Sequence, residues 1–137
     1  MNAPIYYVGG SKGGVGKSKV SFALIDYLIE REKKVLLLDT DTSNPDVYKA
    51  HCPHENDNLV CKIADLDISD GWIELVNVAD AHPEHFLVIN SAARSNTGIE
   101  KYGSMLRETL AELNRDLVTF WAINRQQIGR ASCRERV

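Results

Sequence analysis

The sequence predicts an α/β fold: a three-layer arrangement in which a parallel sheet is flanked by helices. Three observations carry this. Short uninterrupted apolar runs, such as Val35 to Leu38 and Phe86 to Ile89, recur along the chain and read as strands buried on both faces. Stretches with helical apolar spacing alternate with them. A glycine-rich segment separates the first strand from the first helix.

The elements follow in order. Pro4 to Val8 is a β-branched and aromatic run that ends in Gly9-Gly10. Ser18 to Arg31 places Val20, Leu24, Tyr27 and Leu28 at helical spacing, with Phe22, Ile25 and Ile29 widening the apolar face. Val35 to Leu38 is the second strand and ends at Asp39, which completes a βαβ unit. Thr40 to Asn58 is polar and turn-rich, with a break at Asn44-Pro45. Leu59 to Ile63 reads as a short strand. Ser69 to Ala79 reads as a helix capped by Ser69 or Asp70. Phe86 to Ile89 is a buried strand ending at Asn90, and Ser91 to Gly98 is loop. Ile99 to Leu113 is a helix with Tyr102, Leu106, Leu110 and Leu113 on one face, and Leu117 to Ile123 is a last strand. Trp72 and Trp121 fall on these elements and read as core or edge packing.

Bulk properties exclude several classes. The 137 residues suit one domain, and 44% hydrophobic with 26% charged residues is an ordinary globular balance. No apolar run is long enough to span a bilayer, and Met1 to Tyr7 lacks the pattern of a signal peptide, so the expected compartment is the cytoplasm. A net charge of −3 offers no global attraction for nucleic acid. Three cysteines, Cys52, Cys61 and Cys133, form no disulfide framework. His51, Cys52, His54 and Cys61 fit no standard zinc spacing.

Gly10-Ser-Lys-Gly-Gly-Val-Gly-Lys-Ser18 lies between a strand and a helix, the setting a phosphate-binding loop requires. Gly13, Gly14, Val15 and Gly16 allow backbone N–H groups to curl around an anion, and the helix start at Gly16 to Lys19 adds a partial positive charge. Lys17 reaches the β and γ phosphates as a point charge, and the Ser18 hydroxyl is a ligand for Mg²⁺. The general pattern G-x-x-x-x-G-K-[ST] asks for glycine where Ser11 stands. Asp39 and Asp41 follow the second strand, at the carboxyl edge where open α/β sheets bind ligands, and carboxylates there suit Mg²⁺.

Lys12-Gly-Gly-Val-Gly-Lys17-Ser18 resembles the deviant Walker A motif of the ParA/MinD ATPases, a branch of the P-loop NTPases. The resemblance covers Pro4 to about Gln127. It implies ATP as the nucleotide with Mg²⁺, and a homodimer formed across the nucleotide, with Lys12 reaching the partner's phosphates. It implies that Asp39 holds a metal-bound water, that Asp41 positions the attacking water, and that Thr42 to Asp46 forms a switch loop. The family's activity is slow ATP hydrolysis in plasmid or chromosome partitioning or cellular positioning. Asn90 departs from the pattern, because the family has an aspartate there. Its amide is expected to accept a hydrogen bond from a metal-bound water without supplying charge. Arg94 and Asn124 are further contacts to phosphate or base that the resemblance leaves open. Two alternatives remain: an ATP-dependent synthetase or amidoligase on the same scaffold, and a module that binds ATP without turning it over.

Ile128 to Val137 has neither helical nor strand period and resembles the translated read-through of a sequencing-library adapter. The expectation is that residues 1–127 are the N-terminal part of a longer domain and that residues 128–137 are a non-native tail. DNA-binding or adaptor-binding surfaces would then lie in a C-terminal half beyond this sequence.

Overall fold

The computed structural model describes residues 2–10, 16–92 and 96–122. They form a parallel sheet of five strands: β1 (Ile5–Gly10), β2 (Val35–Asp39), β3 (Leu59–Ile63), β4 (Phe86–Asn90) and β5 (Leu117–Ala122). The spatial order is β3-β2-β4-β1-β5. The helices are α1 (Lys17–Glu30), α2 (Asp46–His51), α3 (Ser69–Ala81) and α4 (Asn96–Leu113), with a short 3₁₀ turn at Cys52–His54.

The apolar runs form central strands because each residue has a helix-covered face to enter. Leu36 and Leu38 of β2, with Leu87 and Ile89 of β4, enter the core shared with Trp72, Leu75 and Leu106. Their neighbours Val35, Leu37 and Val88 enter the opposite core, with Ile25 and Leu28 of α1 and Val47 of α2. Alternation across the pleat thus builds two cores on one sheet, the three-layer architecture expected. Trp72 is 2% exposed, and its indole N–H donates to the Leu66 carbonyl over 2.6 Å.

Four readings of the sequence are corrected. The buried stripe of α1 is Lys17, Ser21, Ile25 and Leu28, while Tyr27 and Ile29 are exposed; the amphipathic face is rotated and contains two polar residues. The turn-rich segment after Asp39 contains α2, which is too short to show a helical period and buries only Val47 and His51. Neither Ser69 nor Asp70 caps α3: Ile68 stands at the N-cap, with no side-chain cap. Helix α4 starts at Asn96, inside the expected loop.

Strand β5 is an edge strand, and Leu117, Val118, Phe120 and Trp121 are all exposed. Trp121 therefore packs at the edge, where its ring lies so close to Gly9 that a Cβ there would come within 2.8 Å. A groove of about 480 Å³ between α4 and β5 is lined by Trp72, Leu106, Leu110 and Trp121.

Candidate functional site: the carboxyl edge of the sheet

The strand order sets the site. Strand β1 feeds α1 and the chain moves outward to β2 and β3, then returns to place β4 between β2 and β1. The carboxyl ends of β1, β2 and β4 therefore lie side by side, next to the start of α1. Crevices of this kind are where open α/β sheets bind ligands.

Gly16 is the N-cap of α1, with φ at +93°. A Cβ at this position would meet nothing within 4 Å among the described residues, and the left-handed backbone itself calls for glycine. Lys17 begins the helix with its side chain 8% exposed, and its ammonium has no hydrogen-bond partner among the described residues. Burial pushes the ammonium below the ordinary lysine value, while the Asp41 carboxylate pulls the other way. A buried cation without a partner at a helix N-terminus is costly unless an anion completes it, so these residues fit a phosphate. Ser18 is half-buried and Lys19 exposed on the same first turn.

Asp39 is fully buried and bonded on both oxygens. Its Oδ1 accepts the Asp41 N–H at 3.1 Å and the Asn90 amide at 3.2 Å. Its Oδ2 accepts the Tyr48 N–H of α2 at 3.0 Å. Burial pushes the Asp39 carboxyl above its usual value, and these three donors hold it back. A carboxylate offers about four acceptor positions, and these three donors fill three of them. Asp41 accepts the Ser43 hydroxyl at 3.0 Å and the Asn44 N–H at 3.2 Å, which shapes the turn into α2.

Asn90 is engaged differently from the sequence expectation. Its Oδ1 accepts the Ser21 hydroxyl at 2.7 Å while its Nδ2 donates to Asp39, so both ends of the amide face protein. Thr40 ties the adjoining loops together: its N–H and hydroxyl both donate to the Asn90 carbonyl, and its hydroxyl accepts the Ala92 N–H.

Lys17, Ser18, Asp39, Asp41 and Asn90 thus come to one edge of the sheet. Lys12, Gly13, Gly14 and Val15 lie outside the described residues, as do Arg94, Asn124 and the segment 128–137. Ser21 and Thr40 were not anticipated. The available signal for Ser21 was a hydroxyl inside an otherwise apolar helix stripe, four residues after Lys17. His51, Cys52, His54 and Cys61 do not converge, and no group of three or more His, Cys, Asp or Glu among the described residues is placed to hold a metal. His51 instead stacks on Phe22, with ring centroids 5.2 Å apart.

Comparisons with known proteins agree with this geometry. The chain is 54% identical over 127 residues to Protein MobD of Acidithiobacillus ferrooxidans, a match covering 93% of this chain and 54% of MobD. The chain therefore spans about half the length of that curated relative. Its fold is similar to a mutant of the Mycobacterium tuberculosis APS kinase CysC, with a TM-score of 0.53 at 16% identity over 88% of this chain and 76% of that one. It is also similar to the crystal structure of APE1195, with a TM-score of 0.53 at 13% identity over 90% and 62% of the two chains. These likenesses show a shared α/β fold. The sequence model described as the CobQ/CobB/MinD/ParA nucleotide binding domain matches residues 6–135, and the chain belongs to that family.

Proposed function

We propose that this domain binds ATP with Mg²⁺ on the loop between β1 and α1 and hydrolyses it slowly, as a switch that dimerises across the nucleotide. One observation carries the reading: the buried ammonium of Lys17 at the first turn of α1, which has no hydrogen-bond partner among the described residues. Membership of a nucleotide-binding family supports it.

Each residue has a role in this reading. The backbone N–H groups of Gly13 to Lys19 and the partial positive charge of α1 hold the phosphates. Lys17 neutralises the β and γ phosphates. Ser18 and Asp39 would hold Mg²⁺, Asp39 through a bound water; the ion, when present, offsets charge on the phosphate oxygens. Asp41 orients the attacking water, and the turn it shapes is the segment that senses the γ-phosphate. Lys12 supplies charge to the partner's nucleotide. Plasmid or chromosome partitioning, or cellular positioning, is the process we assign, in the cytoplasm. DNA or an adaptor protein is the partner, bound through the remaining half of a longer protein.

Binding without turnover is a second reading, and Asn90 favours it, because a neutral amide stands where the family has a carboxylate. Two variants separate the readings. Lys12→Ala is expected to abolish ATP-dependent dimerisation, read by light scattering, and Asp41→Ala to abolish turnover while ATP still binds. Dimerisation that ignores both ATP and Lys12 would overturn the switch, and wild-type turnover at the buffer rate would select the non-hydrolysing module. Hydrolysis that requires a small-molecule acceptor would point to a synthetase.

A further inference from the structure

Asp39 and Asn90 are register partners at the ends of β2 and β4, both essentially buried. An aspartate at position 90 would set two buried carboxylates against each other, a repulsion that a bound cation would have to offset. An asparagine avoids this and offers what Asp39 needs, a donor. The orientation of the amide is fixed by chemistry: an ionised Asp39 only accepts, so the NH₂ group must face it and the carbonyl must face the Ser21 hydroxyl. Ser21 sits on α1 one turn beyond Lys17, so this chain of bonds links the phosphate-loop helix to the carboxylate at the end of β2.

We propose that Asn90 and Ser21 are positioning residues: Ser21 locks the Asn90 amide, and Asn90 aims Asp39 at the metal-bound water. The proposal rests on the functional reading above and deepens it. Asn90 in this role is not a weakened metal ligand. It acts through Asp39, as carboxylates around metal sites are commonly oriented by hydrogen-bonding neighbours whose loss costs about 10–100-fold in metal affinity.

The test uses the full 137-residue chain. ATP binding is followed by calorimetry while Mg²⁺ is varied, and again in EDTA, with thermal melting to confirm folding. Asn90→Ala is expected to raise the Mg²⁺ midpoint about tenfold and leave binding in EDTA unchanged. Ser21→Ala is expected to raise it about threefold, by loosening the amide, and Ser21→Thr to restore it. The double variant Ser21→Ala/Asn90→Ala is expected to be no worse than Asn90→Ala alone, because both act on one bond. Asn90→Asp is expected to raise the Mg²⁺ midpoint as well.

An unchanged midpoint in Asn90→Ala, or additive effects in the double variant, would overturn the proposal. So would tighter Mg²⁺ binding by Asn90→Asp, which would make position 90 a direct metal site. Equal losses with and without Mg²⁺ would show a merely structural role. A wild-type chain that binds no ATP at all would overturn the functional reading and this inference together, whereas the other outcomes touch this inference alone.

Discussion

The Asn90 amide donates to the Asp39 carboxylate over 3.2 Å, between residues paired in the register of β4 and β2. One buried bond thus joins the ends of two central strands at the edge where α1 begins. Asp39 extends the connection to α2 through the Tyr48 N–H, and Asn90 extends it to α1 through Ser21. The phosphate-loop helix and the turn after β2 are therefore parts of one hydrogen-bonded unit. Two of its charged groups are buried: the carboxylate of Asp39 and, at the start of α1, the ammonium of Lys17.

Lys17 is buried at a cost to stability that a bound anion would offset. Its ammonium is desolvated and has no partner among the described residues. Replacement by Met keeps the apolar stem and removes the charge. Without nucleotide, Lys17→Met is expected to gain about 1 kcal/mol, or a melting point higher by about 2–4 °C. A melting point lowered by several degrees would show that the lysine is structural.

Arg115 organises the opposite edge of the sheet. It is 4% exposed and donates to the carbonyls of Ala3 (2.6 Å), Ala79 (2.8 Å), His82 (3.2 Å) and His85. Two of these carbonyls, Ala79 and His82, belong to the end of α3, where a cation is also favoured by the helix dipole. Arg115→Ala strands four acceptors and is expected to cost about 2–4 kcal/mol in urea unfolding. Arg115→Lys cannot reproduce the planar fork and is expected to recover less than half of that loss.

The same edge makes stability depend on pH. Burial, together with the neighbouring His82 and Lys34, holds His85 below its reference value of 6.5, against the Asp57 carbonyl and Glu84. The unfolded chain then binds more protons than the folded one in this range. Stability is full above about pH 6.5 and declines as pH falls from there toward the lower folded value. The urea midpoint is expected to be lower at about pH 5.5 than at about pH 7.5, with a smaller drop in His85→Gln. An identical drop in the variant would assign the effect to other groups.

The elements differ in how plainly the sequence announces them, and the reasons are physical. Strands β2 and β4 are legible because helices cover both faces, so every position can be apolar. Strand β5 has the same kind of sequence, yet its side chains are mostly exposed; an apolar run does not say what covers it. Helix α2 escaped because six residues are under two turns, too few for a period to repeat. Lys17, Asp39 and Asp41 were legible because a motif ties residue type to spacing. Ser21 was not, because its role depends on β4 lying between β1 and β2, an ordering that no local pattern records. The orientation of the Asn90 amide was hidden for the same reason.

In the function proposed, Lys17 holds the phosphates of ATP. Calorimetric titration of ATP with Mg²⁺ into the wild-type chain and into Lys17→Met tests it most directly. One ATP per wild-type chain is expected, with binding about a hundredfold weaker in the variant, equivalent to losing a charge-assisted contact of about 3 kcal/mol. Equal affinity in the two proteins, or no binding to the wild type, would contradict it.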